Sequence, residues 1–358
     1  MKKAYKWTRG LCMILAIAMM FGLCACGGSK SQSEEKQDDA PTENAATYEF
    51  TAACNVPEDT LNYAIFSTMK ELLEQDERIK FNIYTNGQLG GDREMMEGLV
   101  AGNIDFVTTI TAGIIDFIPE VGVFDMPNVF PDLETAREVL DSDFNEVMGE
   151  KYEKGGIKLL GTVDSGFRQL TTNKPIEKIE DLQGLRIRTT TNKNHIAYWT
   201  AVGANPTPMD MGEVYIGLQQ GTVDAQENPY DFIVSNKFYE AQKYVVETNH
   251  VIHATVLIAN NEMYQSLPDD IRQLINEAAE QAIADTRLLS DKNIEERRQF
   301  VQDNGMTILE PDDTLREELK KRAETVYDSI REAVGDDLVD ALLAEVEKEW
   351  GQKFINST

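Results

Sequence analysis

From Asp269 to Asn304 the chain runs for 36 residues with neither glycine nor proline, entered through Pro268 and left through Gly305. Proline suits the start of a helix and glycine the position just past its end, so this punctuation predicts a single helix. At roughly 1.5 Å per residue it would measure about 54 Å, longer than one small domain is wide. Such a helix needs two bodies to lie against, or a bend near Asp285 or Ser290 that divides it. The chain has 358 residues, a length at which one hydrophobic core usually gives way to two.

The kind of body follows from the pattern upstream. The strand-like YEFTAAC from Tyr48 is followed by Leu61, Ile65, Met69, Leu72 and Leu73 at helical spacing, then by the strand-like IKFNIY. Further helices are predicted from about Asp92 to Ala101 and from Leu133 to Met148, with strands at Ile104 to Val107 and Ile157 to Val163. A second series follows: strands at Phe167 to Thr172 and at LRIRTT (185–190), helices around His195 to Val202 and Val214 to Gln220, and the strand VIHATVLIAN. Alternation of this kind indicates an α/β fold. The acidic helical stretch from Thr314 to Trp350 must then pack on a lobe already begun, so the chain passes between lobes more than once.

The N-terminus reads separately. Lys2, Lys3, Lys6 and Arg9 precede an uncharged run from Leu11 to Ala25, the pattern of a signal peptide and too short for a comfortable membrane span. Leu23-Cys24-Ala25-Cys26 resembles a bacterial lipobox, which makes Cys26 the expected site of lipid attachment and residues 1–25 the segment removed. Residues 26–46, rich in Ser, Glu, Asp and Ala, read as a flexible linker. With 62 acidic against 34 basic side chains and a formal charge of −28, the chain is a poor partner for nucleic acid, whose phosphates call for clustered Lys and Arg. Removing residues 1–25 deletes four basic and no acidic groups, so the charge belongs to the remainder. Cys54 is then left without a bridging partner and reads as a small buried hydrophobe.

Enzyme signatures are missing: the sequence has no GxSxG, HExxH, GxxxxGK[ST] or GxGxxG. His250 and His253, with two residues between them in HVIH, lack a third ligand to complete a metal site, and neither metal nor cofactor is expected. His195, at a helix start after Asn192-Lys193-Asn194, is expected on the surface or at a contact between lobes. The segment from Asp164 to Pro229 is more telling, because Arg168, Arg186 and Arg188 lie among strands. Arginine is permanently charged, and its planar fork matches a carboxylate with two parallel hydrogen bonds. In LRIRTT the two arginines share one face of the strand while Leu185 and Ile187 share the other.

The order FRQLTTNKPIEKIEDLQGLRIRTT, then GANPTPMDMGEVYIGLQQGTVDAQENP, resembles the solute-binding proteins of TRAP (tripartite ATP-independent periplasmic) transporters. GQLGGDREMMEGLVAGNIDF at 87–106 and FDMPNVFPD at 124–132 extend the likeness, which runs from about Tyr48 to about Pro311. The resemblance implies a two-lobed α/β fold of the periplasmic-binding-protein (Venus flytrap) type with a long helix across both lobes. Lobe I is expected over 47–165 plus 254–293 and lobe II over 166–253 plus 294–358. It implies a monomeric receptor, tethered outside the cytoplasm through lipid, that closes on a small organic acid of the sugar-acid or dicarboxylate type. The acid would be delivered to a small four-span and a large multi-span membrane subunit. Arg188 falls on the family's principal carboxylate-binding arginine, Arg168 on a second arginine and Asn228 on the asparagine beside the carboxylate. Asn55 and Asp92 fall on positions that meet the rest of the ligand, although Asp92 is equally placed to cap its helix.

The departures concern the ligand. Ile110 and Gly113 stand where sialic-acid-binding members carry a glutamate and an arginine, which speaks against sialic acid. Met211 replaces an aromatic wall, Ala225 a glycine, and Asp210 is expected to cap the helix beginning near Glu213. Two rival functions remain: a co-receptor that presents ligand to a membrane sensor kinase, and an enzyme of organic acids. The enzyme would need an acid/base pair near Arg188; Glu227 and Asp224 are the candidates, and both fit structural roles.

Overall fold

The computed structural model describes residues 47–356, with side chains through Gly351. The expected signal segment 1–25, Cys26 and the linker 26–46 lie outside the described residues. Among the described residues no helix is long and apolar enough to cross a membrane.

Two sheets organise the chain. The first has the order β2 (Ile79–Tyr84), β1 (Tyr48–Ala53), β3 (Phe106–Ile110), β10 (Ile252–Asn260), β4 (Ile157–Phe167). Strands β1, β2 and β3 are parallel, while β10 returns from late in the chain to pair antiparallel with both β3 and β4. The second sheet has the order β11 (Thr307–Leu309), β9 (Tyr244–Val246), β5 (Gln169–Thr172), β8 (Ala225–Asn228), β6 (Arg186–Thr189), β7 (Asn205–Pro208).

Both sheets are covered on both faces, as parallel sheets require. Strand β10 is buried along its whole length: Ala254, Val256 and Ile258 enter one core, Leu257 and Ala259 the other. On the Leu257 face lie α1 (Leu61–Leu73), α8 (Asn261–Ser266) and the first half of α9 (Asp269–Asp303), through Ile65, Phe66, Met69, Ile271, Ile275 and Ala282. On the other face lie α2 (Asp92–Val100), α3 (Leu133–Asp141) and α4 (Asp143–Lys154), through Met96, Leu99, Val139, Phe144 and Met148. The second sheet packs on one side against α5 (Lys193–Ala201) and α10 (Asp313–Val334), with Trp199, Leu315 and Leu319. Its other side packs on α6 (Met211–Gln219) and α7 (Tyr230–Ser235), with Val214, Leu218 and Ile233.

The lobes are joined closely. Arg168 alone separates β4 of the first sheet from β5 of the second. Just before this joint Gly166 takes φ +77° beneath the long helix, where an added Cβ would lie 3.0 Å from Ile294; both the backbone and the space therefore call for glycine. Helix α9 is one unbroken run of 35 residues, without the alternative bend near Asp285 or Ser290. Its early turns sit in the first lobe's core and Val301, near its end, in the second's. Helix α10 crosses too, from Leu315 and Leu319 in the second lobe to Ile330 in the first.

Two expectations need correction. The helix foreseen over Leu133–Met148 is two helices, because Ser142 breaks the run and its Oγ accepts the Phe144 N–H as the cap of α4. The second lobe does not hold all of 294–358: α11 (Asp336–Asn356) returns to the first lobe, where Leu338, Val339, Leu342 and Val346 join Phe124 and Phe144. A helix goes where its apolar stripe is covered, and for α11 that cover is the first lobe's flank.

Candidate functional site

Strand β6 carries Arg186 and Arg188 on one face but at different depths. Arg186 is exposed and forked onto Asp224, with Nε–Oδ2 2.8 Å and Nη2–Oδ1 2.6 Å. Arg188 is 2% exposed. Its Nε and Nη2 donate to the Met209 carbonyl at 2.9 and 2.6 Å, while Nη1 is buried and finds no hydrogen-bond partner among the described residues. Burial pushes its pKa down to about 10, so it remains a cation at neutral pH. An unspent NH2 of a buried guanidinium costs stability until an acceptor reaches it.

Arg188 borders a cavity of about 20 Å³ together with Asn55, Asn62, Asp92, Met211 and His253, room for about one water molecule. A wider cleft of about 250 Å³ adjoins it, sharing Asp92, Arg188 and Met211, with Arg93, Glu94, Asp116 and Asp210 also in its lining. Asp92 opens α2, yet it does not cap: its Oδ1 accepts from Asn55 Nδ2 at 3.0 Å and from Thr109 Oγ1 at 2.6 Å. Helix α2 is closed instead by Glu94, which accepts from Gly91 N. Burial raises the Asp92 pKa against the pull of Thr109, Arg188 and Asn55. Asp210 stands at the N-cap position of α6 but makes no side-chain cap bond, contrary to the capping role expected of it. The helix starts at Met211, two residues earlier than foreseen, and the carboxylate faces the cleft instead.

Arg168 and Asn228 lie outside the lining of this cavity. Arg168, 1% exposed, donates through Nε to Glu227 Oε2 at 2.5 Å and through Nη2 to Glu227 Oε1 at 2.9 Å and Asn228 Oδ1 at 3.0 Å. Its Nη1 lies 2.6 Å from His253 Nδ1. Asn228 spends its amide on Gln226 Oε1, 2.7 Å away. Glu227 also meets His250 Nε2 at 2.9 Å and His195 Nδ1 at 3.8 Å. Burial would raise the Glu227 pKa, but the Arg168 charge and the two histidines hold it well below the usual carboxylate range. Glu227 is thus a buried counter-ion and Asp224 a surface partner of Arg186, not an acid/base pair on Arg188. His195 is buried, bonded to Asp125 of the first lobe at 3.3 Å, so of its two expected places the contact between lobes is the one it takes. Cys54 is 1% exposed in the first core, and burial pushes its thiol up to about 11.

The structure thus gathers Arg188, Asn55, Asp92 and Met211 around one cavity and sets Arg168 and Asn228 one layer behind. Sequence reasoning missed Asn62 and His253. Each carried a signal: Asn62 interrupts the apolar stripe Ile65, Phe66, Met69 on α1, and His253 heads the face of β10 that continues through Thr255, Leu257 and Ala259.

Residues 52–333 match the model of bacterial extracellular solute-binding protein, family 7. The sialic acid-binding periplasmic protein of Vibrio cholerae is 32% identical over 279 residues, 77% of this chain and 85% of that one. The sugar acid binding protein of Advenella mimigardefordensis, solved with galactonate, superposes with a TM-score of 0.82 at 27% identity, covering 86% of this chain and all of that one. A TRAP periplasmic solute-binding protein of Polaromonas, solved with D-erythronate, gives a TM-score of 0.78 at 31% identity over 83% of this chain and 98% of that one. With the family match spanning most of the described residues and the two-lobed fold in place around a buried arginine, the chain belongs to family 7 of the bacterial extracellular solute-binding proteins, the extracytoplasmic solute receptors of TRAP transporters.

Proposed function

We propose that this receptor captures a small organic acid, of the sugar-acid or dicarboxylate type, between its lobes and anchors the carboxylate on Arg188. The observation that carries the proposal is the buried Arg188 Nη1 with no acceptor among the described residues, bordering a cavity walled by both lobes. Asn55, Asp92 and Met211 contact the remainder of the ligand. Arg168 and Asn228 act from behind, through Glu227 and His253. A ligand stabilises the closed form only by contacts it makes better there, and a carboxylate on Arg188 of the second lobe with groups facing Asn55 and Asp92 of the first provides them. The relatives solved with galactonate and D-erythronate support the ligand class. The closed protein, tethered by lipid at Cys26, then delivers its cargo as a monomer to a small four-span and a large multi-span membrane subunit.

The test is titration calorimetry on ligand-stripped protein against sugar acids, C4-dicarboxylates, keto acids and amino acids. One acid binds tightly, and Arg188→Ala weakens it by about 30-fold or more while the variant keeps its melting temperature, as expected when one partner of a buried charge pair is truncated. A binder indifferent to Arg188→Ala, or none among the carboxylates, refutes the anchoring role.

A further inference from the structure

The first lobe sets one buried carboxylate against the second. Asp125 ends the short helical turn Pro119–Asp125, is 1% exposed and meets the start of α5. Its Oδ2 accepts from Asn192 Nδ2 at 2.7 Å and from Asn194 Nδ2 at 3.0 Å, and its Oδ1 lies 3.3 Å from His195 Nε2. Phe124 beside it belongs to the first lobe's core, whereas Tyr198 and Trp199 of α5 belong to the second lobe's, so each of these bonds crosses the boundary between lobes. The approach is close, since a Cβ on Gly122 would lie 3.0 Å from Asn194 Nδ2. The contact also abuts the cleft: Asn192 Nδ2 donates to the Ala112 carbonyl at 3.0 Å, and the adjacent residues Gly113 and Thr191 both line the cleft. Opening the cleft therefore pulls on this contact.

Among the described residues, the one ion-pair partner of Asp125 is His195. A carboxylate taken out of water without a countercharge is costly, and the two asparagine amides bring none. His195 can supply it. Its second nitrogen, Nδ1, is buried without a hydrogen bond among the described residues and lies 3.8 Å from Glu227 Oε1 of the second lobe. A carboxylate only accepts and a neutral imidazole has a single N–H, so only the protonated ring offers a donor to both neighbours. Glu227 is already paired with Arg168 and meets His250, which leaves the new charge to Asp125. Of the remaining groups around the ring, burial pushes the pKa of His250 and of His253 down, and Arg322 of α10 is spent on the far end of α5, at the Ala201 carbonyl 3.0 Å away. Burial lowers the His195 pKa too, but its bonds to Asp125 and Glu227 outweigh that and raise it.

We infer that His195 is a proton-operated clasp between the lobes: protonated, it holds Asp125 of the first lobe against α5 and Glu227 of the second, and its deprotonation loosens the closed form. In the open form the ring loses Asp125 and titrates nearer its ordinary value, so closure takes up a proton. The closed form is then favoured below the folded value and weakened as the pH rises through it. This goes beyond the anchoring of a carboxylate on Arg188: it takes from that proposal only the opening of the lobes and holds whichever acid is bound.

The experiment is single-molecule energy transfer on ligand-free protein from pH 6 to pH 9, with dyes on Glu97→Cys in the first lobe and Gln220→Cys in the second, both exposed positions; Cys54 is buried and takes no dye. The closed-to-open ratio is expected to be about tenfold higher at pH 6 than at pH 9, as for a group whose pKa differs by about one between the two forms. His195→Gln keeps an amide donor for Asp125 that does not titrate and makes the ratio constant. Asp125→Asn lowers the ratio at pH 6 to the native value at pH 9, and His250→Gln, a change at the neighbouring imidazole, keeps the dependence. Unchanged melting curves show that the variants fold. A ratio independent of pH in the native protein, a dependence that survives His195→Gln, or one that disappears in His250→Gln overturns the clasp. Because no ligand is present, these outcomes leave the receptor function standing, and failure of every acid to bind in calorimetry leaves the clasp standing.

Discussion

At the scale of single residues, Glu227 ties the site to stability. It is fully buried and shared between Arg168, His250 and His195. Removing its charge strands Arg168, so Glu227→Gln is expected to cost about 3–5 kcal/mol in urea unfolding. The neighbouring histidines give the pH dependence a sign. Burial, then the Arg168 charge, push the His253 pKa well below its ordinary value, whereas an unfolded histidine gains a proton below about 6.5. Its contribution is therefore full above that pH and is lost as the pH falls below it. His195 works the other way: burial lowers its pKa, but bonding to Asp125 and Glu227 outweighs that and raises it, so its contribution is lost as the pH rises through its folded value. Unfolding free energy measured from pH 5 to 7 should fall toward the acid side, and His253→Asn should flatten that limb; an unaltered slope would show that the imidazole does not carry it. Of these residues, Arg188 was legible from the strand face it occupies and its motif. His253 was not, because its meaning depends on Arg168 lying 2.6 Å away, a contact across 85 positions that no local pattern encodes.

At the scale of elements, the punctuation of α9 was legible because Pro268, Gly305 and the intervening absence of breakers are local facts. The break at Ser142 was hidden, since the helical periodicity continues across it and only the hydroxyl cap interrupts the backbone. Asp210 teaches the same lesson from the other side, because a good capping residue at a helix start is not proof of a cap. The contrast can be measured: Asp312 Oδ1 accepts from Leu315 N at 2.8 Å, so Asp312→Ala should cost about 1 kcal/mol. Asp210→Ala should cost clearly less, and equal losses in urea unfolding would restore the capping role. A third arrangement occurs at α1, whose N-cap Thr60 turns its hydroxyl back to donate to the Pro57 carbonyl and makes no cap bond, while Asp231 Oδ2, from α7, accepts the Leu61 N–H at 3.3 Å. A helix end completed by a residue 170 positions away could not be found by scanning its neighbours.

At the scale of the whole molecule, two lobes and repeated crossings followed from length and alternation, but the destination of the last helix did not. An amphipathic stripe declares that it will be buried without declaring against what. Helix α11 supplies Leu338, Val339, Leu342 and Val346 to the first lobe, and burying each such side chain is worth about 1.5–3 kcal/mol, together a large share of a typical folding free energy. Ending the chain after Val334 should therefore yield a protein that binds a hydrophobic dye and loses its near-ultraviolet dichroism; native melting of the shortened chain would contradict this.

That closure of the first lobe by the final helix also bears on timing. A ribosome releases β1 well before α11, so the lobe that β1 begins cannot seal its core until α11 has been made. Contacts between segments far apart in sequence are slow to form. A protein that works outside the cytoplasm has to be threaded through a membrane before it sets, and a lobe whose core lacks a wall until α11 arrives stays threadable until then.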